Sequence, residues 1–515
     1  MDHRIIVLLA AFVLYRILAR IQQKLALAKL ARERGAQPAP WFPSDVVGLS
    51  TFKALTAAAK EGTTLDLSDR WYKEHSKTFW KRTLMSDVIN TCDPDNIRAM
   101  LATQFEDFEQ ATTGAYGILL GRGIFTANGA TWSHTRSLLR PQFTRQQVVA
   151  DLASSMEVHV KNFMEWVREA DGMPLEMHDM FSKLTLDAST DFLFGESLDS
   201  LVKNKPDSHM DDFREQFSSA FRIAQEGLHK RVIAQGLYFL VRPKQLTDAI
   251  KTVHAFVDYY VQKSLEHNKN EKGETDDTRY VFLRELAKDT QDPIELRDNM
   301  LSVILAGRDT TASLLTWTFY LLARHPDIAA KLREEILATY GPAGDSKPVT
   351  FETLKGMVYL RGVINEALRL FPPVPLNMRR ANKDTTLPRG GGPDGLSPIV
   401  LPAGTTVVYS VGAMHRRPEY FGADALEFKP ERWSTGKSWT WEFLPFNGGP
   451  RICLGQQYAL TEAGYVIVRL LQEYDTVENA DSVEKDARNG GMPYRHMAMT
   501  MWNNSGVNVI FKNSK

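Results

Sequence analysis

The hydrophobic pattern changes character along the chain. Ile5 to Tyr15 is an unbroken apolar run; Arg16 interrupts it, and Ile17, Leu18, Ala19 and Ile21 extend it. From Ile5 to Ile21 this is 17 residues, at the short end of the roughly 17–25 that cross a bilayer. Arg16 and Arg20 can reach the headgroups on their flexible stems. Lys24, Lys29, Arg32 and Arg34 follow, with Glu33 the only acid among them. That bias places the remainder of the chain on the cytosolic side of a membrane. A cleaved secretory signal fits less well, since the cations come mostly after the run and no small-residue cleavage site follows. A helix lying in the interface is the alternative. Pro38, Pro40 and Pro43 then stop any helix. Residues 1–35 are thus expected to be a membrane anchor with a basic flank, and 36–45 a proline-rich hinge.

Beyond residue 45 apolar residues recur three and four apart over 128–147, 176–194 and 209–226, the mark of amphipathic helices. The clearest helix runs from Ile294 to Arg324. Asp292 suits the N-cap, Pro293 the first turn, and Glu295 a capping box; His325-Pro326 ends it. Its length of about 46 Å would cross a large domain. Arg308 and Asp309 in its middle argue against a second membrane span, at roughly 2.5–3.5 kcal/mol each. Strand patterns come later: Ile399–Leu401, Thr405–Val411, and a hairpin of Met497–Trp502 with Val507–Phe511 around Asn503-Asn504-Ser505-Gly506. Residues 267–278 read as a polar loop. The expected fold is mainly α with a smaller β part, one unit over 46–515.

Composition narrows the function. Of 515 residues 43% are hydrophobic and 24% charged, a globular balance. Lys and Arg total 62, as do Asp and Glu, and no basic stripe is interleaved with aromatics, so no nucleic-acid partner is expected. Two cysteines, Cys92 and Cys453, cannot build a disulfide framework or a zinc site. They suit a reducing compartment, and Cys92 reads as a small core residue.

Cys453 stands in Phe446-Asn447-Gly448-Gly449-Pro450-Arg451-Ile452-Cys453-Leu454-Gly455. Three glycines and a proline make a tight loop that lets backbone approach a ligand. A helical pattern starts at Gln456, so the dipole and free N–H groups there should favour a thiolate. Glu366 and Arg369, three apart on one helix face, can pair, and Pro430-Glu431-Arg432-Trp433 lies further on. Ala306-Gly307-Arg308-Asp309-Thr310-Thr311 occupies the middle of the long helix, where a glycine costs about 1 kcal/mol; a local opening is expected there. Trp132 and Arg136 are spaced one helical turn apart.

Together these four motifs resemble the cytochrome P-450 family. The resemblance covers the chain from about residue 40. It implies a haem with Cys453 as axial iron ligand, a folding network of Glu366, Arg369 and Arg432, and Trp132, Arg136, Arg379 and Arg451 on the propionates. Arg380 competes with Arg379 for its place. Thr310 would hydrogen-bond dioxygen and Asp309 would relay protons, leaving no ligand role for His134 or His415. The stretches Thr385–Gly392, Gly455–Ala463 and Gly121–Phe125 with Asn128-Gly129 are similar to the fungal alkane and fatty-acid ω-hydroxylase branch.

The resemblance implies a membrane-anchored monooxygenase of the endoplasmic reticulum facing the cytosol. Its cofactor would be haem b, with O2 and NADPH as co-substrates. Electrons would come from NADPH-cytochrome P-450 reductase, docking on the cysteine side near Arg136, Arg140, Arg145 and Lys437. The substrate would be a lipophilic small molecule, an n-alkane or a fatty acid, hydroxylated at its terminus. The pocket is expected around Gly121–Phe125, Leu305–Ala306, Val374–Asn377 and Met499–Trp502. A tailoring oxidase of fungal secondary metabolism would use the same motifs. A peroxide isomerase or dehydratase would not need Asp309 and Thr310, nor would a non-catalytic haem protein.

Overall fold

The computed structural model describes residues 3–144, 146–203, 209–270, 281–344, 347–482 and 493–513. Helices dominate. The first are α1 (His3–Arg34), α2 (Leu49–Glu61), α3 (Thr64–Glu74), α4 (Pro94–Arg98), α5 (Thr113–Leu120), α6 (Gly129–Thr144) and α7 (Gln146–Ala170). Then come α8 (Met177–Phe194), α9 (His209–Ile233), α10 (Lys244–Asn270), α11 (Phe282–Asp289), α12 (Pro293–Leu322) and α13 (Pro326–Tyr340). The last are α14 (Phe351–Gly356), α15 (Val358–Leu370), α16 (Val411–Met414), α17 (Pro418–Phe421) and α18 (Gln456–Glu473). The strands are β1 (Thr78–Thr83), β2 (Ser86–Thr91), β3 (Phe108–Gln110), β4 (Leu175–Glu176), β5 (Leu376–Ala381) and β6 (Thr385–Gly391). They continue with β7 (Ser397–Leu401), β8 (Thr406–Ser410), β9 (Thr476–Asn479), β10 (Arg495–Met497), β11 (Met501–Asn503) and β12 (Asn508–Lys512).

The central member is α12. Asp292 caps it, accepting from the N–H groups of Ile294 at 2.9 Å and Glu295 at 3.4 Å, with Pro293 in the first turn. Glu295 does not close a capping box. Its carboxylate instead receives the Thr290 hydroxyl at 2.6 Å and meets His134 Nε2 at 2.9 Å. The helix is unbroken, so the expected opening at Gly307 is absent. Gly307 serves packing instead: a Cβ there would stand 2.8 Å from Ser189 Oγ on α8. The same seam is tied by the Thr185 hydroxyl donating to the Arg308 carbonyl at 2.8 Å.

Around α12 lie two helical cores. One gathers Phe163, Phe181, Trp317, Leu332, Leu368 and Val466; the other gathers Leu119, Phe221, Phe256, Met300 and Ile304. A third packs against the five-stranded sheet, ordered β1-β2-β8-β5-β3. Here β2 and β8 run parallel, and the other pairs antiparallel. The expected pairing around Asn503–Gly506 is corrected. The turn exists, but β11 pairs backwards with β10, and β12 joins β4 and β9. The Glu176 carboxylate takes the Val507 N–H at 3.0 Å, and Val507 accepts from Met177, which pulls the chain to a different edge. Gly390 and Gly391 end β6, Gly391 opposite Ser397 of β7 after a register shift from Leu387, and Gly392 begins the turn.

The amino-terminal run belongs to a single 32-residue helix, α1. No helix among the described residues is long and apolar enough to cross a membrane. The whole apolar run that suggests an anchor, with Arg16 and Arg20, lies within this helix. Residues 36–45 lie along the sheets. Gln37 donates to the Pro398 carbonyl, Phe42 N–H to Trp80, and Trp80 N–H to Pro40; Trp41 stacks on Trp80 at 5.6 Å. Of the expected loop 267–278, the part up to Asn270 continues α10 and the rest falls outside the described residues.

Candidate active site

The cysteine loop is built by backbone geometry. Gly449 adopts φ +65°, and a Cβ there would fall 1.7 Å from the Leu101 carbonyl oxygen, so only glycine fits. Asn447, also at positive φ, accepts the Tyr409 hydroxyl at 3.0 Å. The Cys453 N–H donates to the Phe446 carbonyl at 3.0 Å, and α18 begins three residues on. Cys453 is enclosed on most sides yet open to a cavity. Burial raises its thiol pKa, opposed by the Gly455 N–H and the Arg136 charge. Cys92 is fully buried, its thiol pushed up to about 12 by desolvation, with Arg417 at 3.6 Å.

The cavity measures about 270 Å³. Cys453, Phe446 and Leu454 form one wall; Val303, Ala306 and Thr310 of α12 form another; Ile124, Phe125 and Val374 also line it. Arg136, Arg379 and Arg451 converge at its rim around Trp132. Arg451 stacks 4.5 Å from the Trp132 ring and donates to the Ala127 carbonyl and Asn128 Oδ1, both at 3.0 Å. Arg379 donates to Gln110 Oε1 at 2.7 Å and the Met378 carbonyl at 2.8 Å. Arg136 donates to the Ile452 carbonyl at 3.0 Å. No ion pair to a carboxylate is formed by these three guanidiniums among the described residues. Desolvation and the Arg379 and Arg136 charges hold Arg451 down at about 9. Three cations gathered without a counter-charge suit a dianionic ligand edge, and a largely apolar cavity that reaches the thiol suits a haem. The residues present fit that group. Strand alternation separates the two arginine candidates: Arg379 is buried towards the cavity, whereas Arg380 is exposed.

Thr310 lines this cavity, its hydroxyl donating to the Ala306 carbonyl at 2.5 Å. Asp309 does not line it. It opens on a second cavity of about 780 Å³ between α2, α8, α9, α12 and the β10–β11 turn. There Gln225 of α9 donates to its carboxylate and Arg308 lies 3.5 Å away. His178, His229 and His496 also face this space. Desolvation holds all three down, His229 to about 4. Met499 and Trp502, expected at the substrate pocket, line this second cavity; Leu305 is packed in the core and lines neither.

Behind the cysteine loop Glu366 collects four donors. Arg369 approaches at 2.7 and 2.8 Å, Arg432 Nε at 3.3 Å, Trp433 Nε1 at 3.0 Å and the Lys429 N–H at 3.2 Å. Glu366 and Arg369 are wholly buried. His415 accepts the Leu444 N–H at 2.8 Å and is held to about 3, first by burial and then by Arg369. It therefore supports the loop and does not line the cavity. Lys437 donates to the Tyr420 carbonyl; Arg145 lies outside the described residues.

A mainly helical body with a thiol, an apolar slot and a cationic rim defines the class of haem-thiolate oxygenases. A family model described as Cytochrome P450 matches residues 52–497, and the chain belongs to the cytochrome P450 family. It is 44% identical to Cytochrome P450 52A13 of Debaryomyces hansenii over 95% of this chain and 94% of that one. It is 42% identical to Cytochrome P450 52A3-B of Candida maltosa, over 92% and 91%. It is also 42% identical to Cytochrome P450 52A1 of Candida tropicalis, over 88% and 86%. The protein is a cytochrome P450 monooxygenase, and the family implies haem iron, dioxygen, electrons from a reductase and a hydrophobic substrate.

Several residues of the site carried no local signal. Gln110, Phe143 and Phe192 reach the first cavity from three separate segments. Gln225 meets Asp309 across 84 positions of sequence. Only the folded chain joins them.

Proposed function

We propose that this enzyme hydroxylates the terminal C–H bond of a long aliphatic chain, an n-alkane or a fatty acid. Support comes from the largely apolar first cavity lined by Ile124, Phe125, Val303 and Cys453, together with the similarity to the 52A relatives. Cys453 would hold the iron of haem b, and Trp132, Arg136, Arg379 and Arg451 would hold its propionates. The haem, when bound, supplies the reduction of dioxygen and the transfer of one oxygen atom to carbon. The chain's own work is to orient, insulate and protonate. Apolar walls hold an extended chain end-on, so that its weaker internal C–H bonds stay away. Thr310 offers its hydroxyl to the oxygen side, and Asp309 takes protons from the second cavity. NADPH supplies the electrons through NADPH-cytochrome P-450 reductase.

The amino-terminal helix α1 attaches the protein to the endoplasmic reticulum, lying in the interface with the catalytic body in the cytosol. Its extraction by alkaline carbonate while it still floats with untreated vesicles is expected; resistance to carbonate would favour a span.

The decisive experiment combines the holoenzyme, reductase and NADPH with dodecanoate or hexadecane, followed by product analysis. A terminal alcohol is the expected product. A competent preparation giving none, or only in-chain alcohols, overturns terminal hydroxylation.

A further inference from the structure

The segment that carries Ile124 and Phe125 follows α5 and folds upon itself. Gly123 N–H donates to the Leu120 carbonyl at 3.0 Å, and the Thr126 hydroxyl donates to Gly121 at 2.8 Å and to Gly123 at 3.0 Å. Its attachment to α12 is of a different kind. The Arg122 N–H donates to Asp298 Oδ2 at 2.8 Å. A Cβ on Gly121, at φ +50°, would stand 1.9 Å from that same oxygen. One on Gly123 would stand 2.2 Å from Ser302 Oγ and 2.5 Å from the Asp298 carbonyl. The two glycines let the backbone lie directly on the helix.

Asp298 itself is an uneconomical residue for packing. It is 3% exposed, its Oδ1 has no hydrogen-bond partner, and Arg297 Nε lies 3.5 Å away. Burial raises its carboxyl pKa. A buried carboxyl is costly to keep unless its partners use it. One oxygen lies near Arg297, and the other accepts the Arg122 N–H and so ties the wall segment to α12.

We propose that Asp298 is a positioning residue that seats the Gly121–Phe125 wall on α12 and so sets which ligands reach the iron side of the first cavity. The proposal rests on reading that cavity as the substrate chamber. Loss of the acceptor frees the segment, and Ile124 and Phe125 lose their fixed distance from Ala306. Asp298→Asn keeps an acceptor oxygen and rescues; Asp298→Ala does not. Gly121→Ala displaces the seat from the other side, by driving a Cβ against the carboxylate while leaving Asp298 in the chain.

The test titrates ferric holoenzyme with imidazole and with 4-phenylimidazole, following the Soret band. These nitrogen ligands probe access to the iron without turnover. The ratio of the two dissociation constants should change about fivefold or more in Asp298→Ala and Gly121→Ala, and less than about twofold in Asp298→Asn, in keeping with one lost hydrogen bond. In a Phe125→Ala background, Asp298→Ala should change the ratio little, because the wall it seats has been cut away. The reduced carbon monoxide band reports that each variant is folded. An unchanged ratio in both Asp298→Ala and Gly121→Ala overturns the proposal, as does a full effect of Asp298→Ala without Phe125. If Asp298→Ala does not fold, Gly121→Ala alone decides. Failure to form a terminal alcohol leaves these ratios unmoved, so the two readings fail separately.

Discussion

Asp309 and Thr310 are consecutive on α12, yet their side chains open on different cavities. Successive helical positions differ by about 100°, so the helix wall itself divides acid from alcohol. Thr310 faces the Cys453 side; Asp309 faces the histidine-lined space and is held by Gln225. Thr310→Ala should therefore uncouple the enzyme: NADPH oxidation continues, hydrogen peroxide replaces alcohol, and alcohol per NADPH falls sharply. Asp309→Asn should slow both by roughly 100-fold, the scale of general acid–base catalysis. Parallel assays of NADPH, peroxide and alcohol check this; wild-type coupling in Thr310→Ala would remove its assigned role.

The cysteine and the guanidinium rim make separable predictions. Cys453→Ala should abolish the thiolate band of the reduced carbon monoxide complex, while persistence of the band would displace Cys453 as ligand. Arg451→Leu should keep the band but speed haem loss to apomyoglobin, since it removes one of the three cations at the rim.

Glu366 is the acceptor for four donors in a dry interior. Glu366→Ala strands Arg369 with one partner fewer, at a cost of about 3–5 kcal/mol for a broken buried pair. Little haem-bound protein should accumulate on expression. Near-wild-type yield of Glu366→Ala would show the network to be dispensable.

Glu462 on α18 is 1% exposed, and desolvation pushes it up to about 8, with Thr311 offsetting this only in part. A raised carboxyl binds more protons folded than unfolded between about pH 4.5 and pH 8. Its contribution is present below that window and is lost as pH rises through about 8. Apparent melting temperature should fall from pH 6 to pH 8.5 in the wild type and fall less in Glu462→Gln. Parallel slopes in the two proteins would count against a buried protonated carboxyl.

Legibility in the sequence followed contiguity. The Phe446–Gly455 loop, Glu366 with Arg369, Trp132 with Arg136, and the capped start of α12 each depend on neighbours within a turn or a loop. Local chemistry is enough to recognise them. The β10–β11 pairing was not legible, because Asn503–Gly506 forms its turn in either arrangement and Glu176 chooses the edge. Arg379 and Arg380 look alike in sequence; the pleat of β5 decides which faces the cavity.

By itself, then, the sequence determined the thiol, its tight loop, the long helix with its acid and alcohol, and a mainly helical body. These follow from residue type and short spacing. Tertiary structure alone decided that Asp309 and Thr310 serve different spaces, that three distant arginines share one rim, and that Asp298 receives the Arg122 N–H across 176 positions. Burial and convergence arise between segments, so desolvation and charge proximity have no value until the chain has packed.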